Sequence, residues 1–328
     1  RRWAAGARQH GARLWMQINH PGRQVMAAMG RDAWAPSAVP LDLGRHSKLF
    51  AAPRAMTGED IHEVIERFAA TAQAAQQAGF DGVQIHAAHG YLISQFLSPL
   101  TNRRDDAWGG SLENRARLLL DVVRAVRARV GASFSVAVKI NSADFQRGGF
   151  SEQDARQIVL WLNHEAVDLV ELSGGSYESP AMQGRTADGR TLAREAYFLT
   201  FAQEIAAVAS MPVMTTGGIR RQAVAEAVLA ERVAVVGMAS ALACMPDLPR
   251  RWRDGQSADA PVVAVGWRDK AMASLATMAL IKRRLRAIAA GGRPARCYSP
   301  VYSLAIDQLR TRRLTTRYRQ WRQVQAHG

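Results

Sequence analysis

Short apolar stretches alternate with longer amphipathic ones along the first 266 residues of this 328-residue chain. The short stretches predict six β-strands, because each is rich in branched apolar side chains and is bounded by polar or turn residues. They are Arg13–Asn19, Gly82–His86, Phe134–Asn141, Leu169–Leu172, Pro212–Thr216 and Val233–Val236. Strands that alternate with helices favour a parallel sheet covered by helices, which places the chain in the α/β class.

The amphipathic stretches predict helices, several of which begin at a recognisable capping signal. They are residues 1–9, 58–78, 112–130 and 152–165. Ser111 precedes the third helix, and Thr57-Gly-Glu-Asp60 and Ser151-Glu-Gln-Asp154 have the capping-box pattern that satisfies the first free N–H groups of a helix. We therefore expect helices to begin at these three points.

The last 62 residues predict a separate helical extension. Ala271–Ile288 and Leu304–Gln325 have helical character, and Gly291-Gly-Arg-Pro294 separates them. The chain has a formal net charge of +15, and residues 267–328 hold 14 Lys and Arg against 2 Asp and Glu. We therefore expect one domain over 1–266 and a basic extension over 267–328. The extension would pack on that domain or on a second subunit, which leaves a homo-oligomer open.

Composition excludes several classes of function. No apolar run reaches the roughly 20 residues of a membrane span, and no targeting segment is recognisable, so a cytoplasmic location is expected. Cys244 and Cys297 are far apart in the sequence, which disfavours disulfide frameworks, zinc ribbons and iron–sulfur sites. The basic residues are mostly arginine without interleaved aromatic residues, so no nucleic-acid partner is expected.

Three proton-active side chains follow one another at the end of the second predicted strand. His86, His89 and Tyr91 can converge there as the chain turns away, and the carboxyl ends of barrel strands are where such enzymes carry their chemistry. Each histidine could instead be a hydrogen-bonded structural group. A metal-dependent hydrolase using His86, His89 and Lys139 is a further alternative, but the later strand ends offer no additional metal ligands.

A long run makes the chain resemble a known family. The segment GVQIHAAHGYLISQFLSPLTNRRDDAWGGSLENRARLL, residues 82–119, is similar to the central segment of the Old Yellow Enzyme family of NAD(P)H-dependent, FMN-containing ene reductases. The resemblance implies a (β/α)8 TIM barrel. The six predicted strands would be its third to eighth, so we expect the chain to lack the first β-α-β elements. We also expect that it does not hold FMN stably without them.

The resemblance also implies catalytic roles. His86 and His89 would bind the carbonyl oxygen of the substrate, and Tyr91 would protonate the α-carbon. The resulting activity is hydride transfer from NAD(P)H through flavin N5 to a small activated alkene. The identity of the alkene and the choice between NADH and NADPH stay open.

Residues that would bind the flavin are implied in the same way. Gln17, in the segment Trp15–Arg23, would pair with the pyrimidine edge, and Lys139 would lie near N1 and the C2 oxygen. The phosphate is expected at the glycines after the last two strands, Gly217, Gly218 and Gly237, and at Ser240. Ser240 stands where the family usually has an arginine, so a flavin-binding-impaired, non-catalytic remnant is a second interpretation.

Overall fold

The computed structural model describes residues 1–179, 195–292 and 297–326. Contacts between residues divide the chain into two compact units. The first consists of residues 1–27, 31–217 and 228–237, and the second of residues 28–30, 218–227 and 238–328. Within the described ranges, no helix combines the length and the apolar character needed to cross a bilayer. The predicted domain boundary between residues 266 and 267 stays a prediction.

All strands found in the described residues belong to the first unit. They are β1 (Trp15–Ile18), β2 (Ala33–Ala35), β3 (Pro53–Ala55), β4 (Gly82–Ala87), β5 (Ser135–Asn141), β6 (Leu169–Ser173), β7 (Val213–Thr215) and β8 (Val235–Val236). A six-stranded parallel sheet runs in the order β1, β4, β5, β6, β7, β8, and β2 pairs with β3 in a small parallel sheet. The six strands of the main sheet are the six predicted from the sequence.

Helices connect these strands and continue into the second unit. They are α1 (Arg2–Arg8), α2 (Gly58–Gln77), α3 (Leu92–Leu97), α4 (Leu112–Arg129), α5 (Glu152–Leu162), α6 (Leu199–Ala206), α7 (Gln222–Ala230), α8 (Ser240–Cys244), α9 (Leu248–Arg253), α10 (Lys270–Ala289) and α11 (Pro300–Ala326). The predicted helices are confirmed, although α5 ends three residues before the predicted 165. The helices α3, α6, α8 and α9 were not predicted from the sequence.

The capping signals are made as the sequence predicts. The Thr57 hydroxyl accepts a hydrogen bond from the backbone N–H of Asp60, and the Asp60 carboxylate accepts one from the N–H of Thr57. Ser151 and Asp154 form the same reciprocal pair at the start of α5. The Ser111 hydroxyl accepts from Asn114 at the start of α4. Local hydrogen bonds therefore fix where these helices begin.

Alternation along β4 explains why polar groups collect on one face of the main sheet. Val83 and Ile85 are fully buried, whereas Gln84 and His86 point to the opposite face. In the parallel register, His86 lies beside Lys139, and Lys139 lies beside Glu171. Residues paired in register point to the same face, so this face carries a row of polar side chains near the carboxyl ends of β4, β5 and β6.

In the second unit, α10 and α11 pack together through small and apolar side chains that include Ala276, Leu280 and Leu304. Asp307 of α11 receives hydrogen bonds from Lys282 at 2.9 Å and Arg286 at 3.2 Å. Burial opposes the charged form, but these two cations hold the pKa of Asp307 below its ordinary value. The two predicted helices are confirmed, with α11 beginning four residues early. Arg293 and Pro294 of the predicted break lie outside the described residues.

Candidate active site

The structure brings His86, His89 and Tyr91 together. His86 lies on β4, and the chain reverses directly after it through His89 and Gly90, whose φ angles are +62° and +70°. The ring centroids of His86 and His89 are 4.9 Å apart and nearly perpendicular, and those of His86 and Tyr91 are 5.0 Å apart. The spacing in sequence thus becomes a cluster of three proton-active groups.

His86 is oriented so that one ring nitrogen is free to donate a hydrogen bond. The backbone N–H of Ala88 donates to Nδ1 of His86 at 3.3 Å, which leaves the ring proton on Nε2. Burial, and then the charge of Lys139, lower the pKa of His86 to about 3. The imidazole is therefore neutral near pH 7. Within the described residues Nε2 has no hydrogen-bond partner, so it can donate to a substrate oxygen.

His89 is held more tightly than His86. Its Nε2 lies 2.7 Å from the Ser173 hydroxyl, and its backbone N–H donates to the side-chain oxygen of Asn141 at 3.0 Å. Burial, and then the neighbouring His86 and Lys139, keep the pKa of His89 well below its ordinary value. His89 is thus a second neutral imidazole whose position is fixed by β5 and β6.

Tyr91 has a partner, Tyr177, that was not predicted from the sequence. Its hydroxyl lies 3.1 Å from the hydroxyl of Tyr177, and the two rings make an edge contact at 6.0 Å. Burial, and then the hydrogen bond to Tyr91, raise the pKa of Tyr177 above its ordinary value. Tyr177 follows the end of β6 by four residues, and that position after a barrel strand was the only available signal.

Four polar side chains form a connected row across the inner face of the sheet. The Gln17 amide donates to the Gln84 oxygen at 2.7 Å, and the Gln84 amide donates to the Glu171 carboxylate at 2.7 Å. Lys139 donates to the other oxygen of Glu171 at 2.6 Å. The structure thus links the two predicted ring-binding residues, Gln17 and Lys139. Gln84 was not predicted as a site residue from the sequence.

Lys139 lies near the end of an otherwise apolar strand, where an ammonium is costly to bury without a partner. The structure supplies that partner within the protein, because Glu171 binds the ammonium directly. Burial of Lys139 is therefore not by itself a sign of a bound cofactor.

The part of the long run that follows α3 has a structural role. Asn102 is buried and donates to the carbonyl oxygens of Phe96 and Trp108, each at 2.8 Å. Arg104 donates to the carbonyl oxygens of Pro36 and Met56. These two polar side chains hold the loop that follows α3 through hydrogen bonds to backbone carbonyl groups.

The glycines that follow β7 and β8 differ in how closely neighbouring atoms approach them. Gly217 has a φ of +123°, and a Cβ there would meet the backbone nitrogen of Tyr197 at 2.8 Å. A Cβ on Gly237 would meet the Met214 side chain at 2.7 Å, and its N–H already donates to the carbonyl of Thr215. Gly217 therefore requires glycine for its backbone conformation and packing alone, whereas the flexible end of Met214 could move away from a side chain at Gly237. The predicted contact of both glycines with a phosphate stays a prediction.

Two predicted phosphate residues lie in the second unit. Gly218 has a φ of +71°, a left-handed conformation that favours glycine. Ser240 is exposed and begins α8, a helix of five residues. Their predicted role at a phosphate stays a prediction as well.

Comparisons with known proteins identify the family. The profile of the NADH:flavin oxidoreductase / NADH oxidase family matches residues 4–259. An NADH-dependent flavin oxidoreductase, iliE, of Hypocrea jecorina is 38% identical over 267 residues, covering 76% of this chain and 66% of the relative.

Two solved structures share the fold at a TM-score of 0.66. An old yellow enzyme homologue from Zymomonas mobilis is 27% identical and is matched over 79% of this chain and 72% of its own. A complex of 2-naphthoyl-CoA reductase with 2-naphthoyl-CoA is 29% identical, over 77% of this chain and 39% of its own. The chain thus contains six strands of a (β/α)8 barrel and belongs to the NADH:flavin oxidoreductase family that includes the old yellow enzymes.

Proposed function

We propose that this protein reduces a small activated alkene, with NAD(P)H as the reductant and FMN as its cofactor. Family membership supports FMN and NAD(P)H, whereas the alkene substrate is the proposal. The observation that carries it is the free Nε2–H of the neutral His86. The ring centroid of His86 is 5.0 Å from that of the Tyr91 phenol. That pair supplies a hydrogen-bond donor and a proton donor side by side.

The residues on the inner face fit the flavin ring. Within the described residues, the exposed Gln17 amide still has a free carbonyl oxygen and a free N–H, which suit the alternating C=O and N–H groups of the pyrimidine edge. Lys139 contributes an ammonium on the same face. When bound there, FMN supplies the two-electron chemistry of hydride acceptance and donation. We assign Gln17 and Lys139 to that ring.

On the substrate side, His86 binds and polarises. A carbonyl oxygen that accepts from Nε2 of His86 draws electron density away from the β-carbon, which makes that carbon a better hydride acceptor. The neutral imidazole can donate this hydrogen bond because its Nε2 carries the ring proton. His89, whose Nε2 is hydrogen-bonded to Ser173, lies beside His86 and fixes one side of the proposed substrate site.

Tyr91 donates the proton. Its hydroxyl is hydrogen-bonded to that of Tyr177, and its ring centroid is 5.0 Å from that of His86, the residue proposed to bind the carbonyl oxygen. Each alkene therefore receives its proton from the phenol of Tyr91, and water returns a proton to the resulting phenolate of this half-buried residue. Tyr177 holds the phenol in place from the loop after β6.

The phosphate of the cofactor is assigned to Gly217, Gly218, Gly237 and Ser240 on the family resemblance. At Ser240 a hydroxyl replaces the charged, forked side chain that would pair with a phosphate. The loss of one charge-assisted hydrogen bond of that kind costs about 1.5–3 kcal/mol of binding free energy. We therefore propose that FMN binds more weakly here than in relatives that carry the arginine.

Purification followed by absorbance and metal analysis tests the proposal. We expect the full-length protein to bind FMN, and we expect NADH or NADPH to bleach the flavin absorbance under anaerobic conditions. A colourless protein that neither binds added FMN nor contains metal would support the non-catalytic remnant. A colourless protein that contains zinc would instead support a hydrolase, although no group of three metal-ligating side chains occurs in the part of the chain that the structure describes.

A further inference from the structure

A buried ion pair lies on the inner face of the main sheet, beside the proposed flavin site. Nζ of Lys139 on β5 lies 2.6 Å from Oε1 of Glu171 on β6, and the two residues are partners in the strand register. The side chains are only 14% and 7% exposed. Solvent therefore screens this pair far less than a surface pair.

The carboxylate of Glu171 is fixed from both sides. One oxygen accepts from Lys139, and the other accepts from the Gln84 amide at 2.7 Å. Gln84 is in turn held by Gln17 at 2.7 Å. A charge held by two donors on different strands has little freedom to move away when the charge around it changes.

This arrangement changes what Lys139 can do for a flavin. A lone ammonium near N1 stabilises the negative charge that a reduced flavin carries, and it therefore raises the reduction potential. An ammonium paired with a fixed carboxylate presents almost no net charge. The field at the ring is then set by the pair and not by the lysine alone.

We propose that Glu171 is a positioning residue for Lys139 that keeps the reduction potential of the bound flavin below the value an unpaired lysine would produce. The proposal rests on the proposed function, because it requires FMN at this face. It does not depend on which alkene is the substrate.

Replacing the two partners separately and together gives a distinct pattern of potentials. Glu171→Gln leaves the ammonium unpaired, so the affinity for reduced FMN should rise at least tenfold relative to the affinity for oxidised FMN. This change raises the midpoint potential by at least about 30 mV for a two-electron couple. Lys139→Gln leaves the carboxylate alone and should shift the potential at least as far in the negative direction. The double variant replaces an ion pair of no net charge by two uncharged amides. Its midpoint potential should therefore lie within about 9 mV of the parent value, which corresponds to a twofold change in relative affinity.

The experiment measures midpoint potentials of the FMN-loaded proteins by equilibration with redox dyes. Glu66→Gln is the matched control, because it removes the same group from a surface pair with Arg129 and should leave the potential unchanged. If Glu171→Gln does not fold, the return of the double variant from the Lys139→Gln value still supports the proposal.

Two results would overturn the proposal while leaving the proposed function intact. One is a midpoint potential of Glu171→Gln that lies within about 9 mV of the parent value. The other is a double variant whose midpoint potential equals that of Lys139→Gln alone. A protein that does not bind FMN would overturn both the proposal and the proposed function. A protein that shows the predicted potentials but does not reduce alkenes would overturn only the substrate assignment.

Discussion

Replacing His86 by alanine should slow the transfer of hydride to an alkene while leaving FMN bound. The substitution removes the free Nε2–H that is proposed to bind the substrate oxygen. His89 cannot readily take over that task, because its Nε2 is already 2.7 Å from the Ser173 hydroxyl. Gln17 and Lys139, the proposed ring-binding residues, are unchanged.

The magnitude follows from the type of hydrogen bond that is lost. One donor aimed at developing charge in a site that excludes water is worth about 2.7–4 kcal/mol, or roughly 100- to 1000-fold in rate. We expect a loss of that size in the rate at which an enone reoxidises the reduced protein. Because the pKa of His86 is lowered to about 3, this rate should also show no titration of His86 near its ordinary 6.5.

Anaerobic stopped-flow measurement of flavin reoxidation is the assay, with FMN affinity measured in parallel. His164→Ala is the matched control, because His164 is exposed and precedes β6. His86→Asn keeps a hydrogen-bond donor on a shorter side chain, so its reoxidation rate should fall less than that of His86→Ala. If His86→Ala reoxidises within threefold of the parent while its fold and FMN content are intact, His86 does not act on the substrate.

Three further predictions concern stability and cofactor binding. Burial lowers the pKa of His20 to about 4 and that of His86 to about 3, so below pH 6.5 the unfolded chain binds protons that the folded chain excludes. The folded state therefore loses stability as the pH falls below 6.5, by about 2 kcal/mol for each histidine at about pH 5. Urea denaturation at several pH values would measure this loss. Asn102→Ala removes two buried hydrogen bonds and should lower the free energy of unfolding by about 2–4 kcal/mol, and an unchanged urea midpoint would contradict the structural role of the loop. Ser240→Arg should tighten FMN by roughly tenfold or more in a fluorescence titration, since about 1.4 kcal/mol corresponds to tenfold, whereas an unchanged affinity would mean that another group already meets the phosphate.

The elements that the sequence predicts well are those governed by local signals. The capping boxes at Thr57 and Ser151 depend on residues three positions apart, and both are made as predicted. The apolar alternation in β4 likewise needs only neighbouring residues. Such signals are visible in one short window of sequence, because the physical contacts that they describe lie within that window.

The connections that the sequence could not predict join distant residues. Gln84 and Glu171 are 87 positions apart, and their contact exists only because β4, β5 and β6 pair in one particular register. Tyr177 reaches Tyr91 across a similar separation. The small sheet of β2 and β3 was missed for a related reason, since strands of three residues leave almost no periodic pattern.

The most direct test of the proposed function is a single turnover with an enone. The FMN-loaded protein would be reduced anaerobically with one equivalent of NADH or NADPH and then mixed with 2-cyclohexenone. We predict that the flavin absorbance returns and that one equivalent of the saturated ketone, cyclohexanone, forms. Flavin that stays reduced with this and other electron-poor alkenes, yet is reoxidised by oxygen, would contradict the assignment of the protein as an alkene reductase.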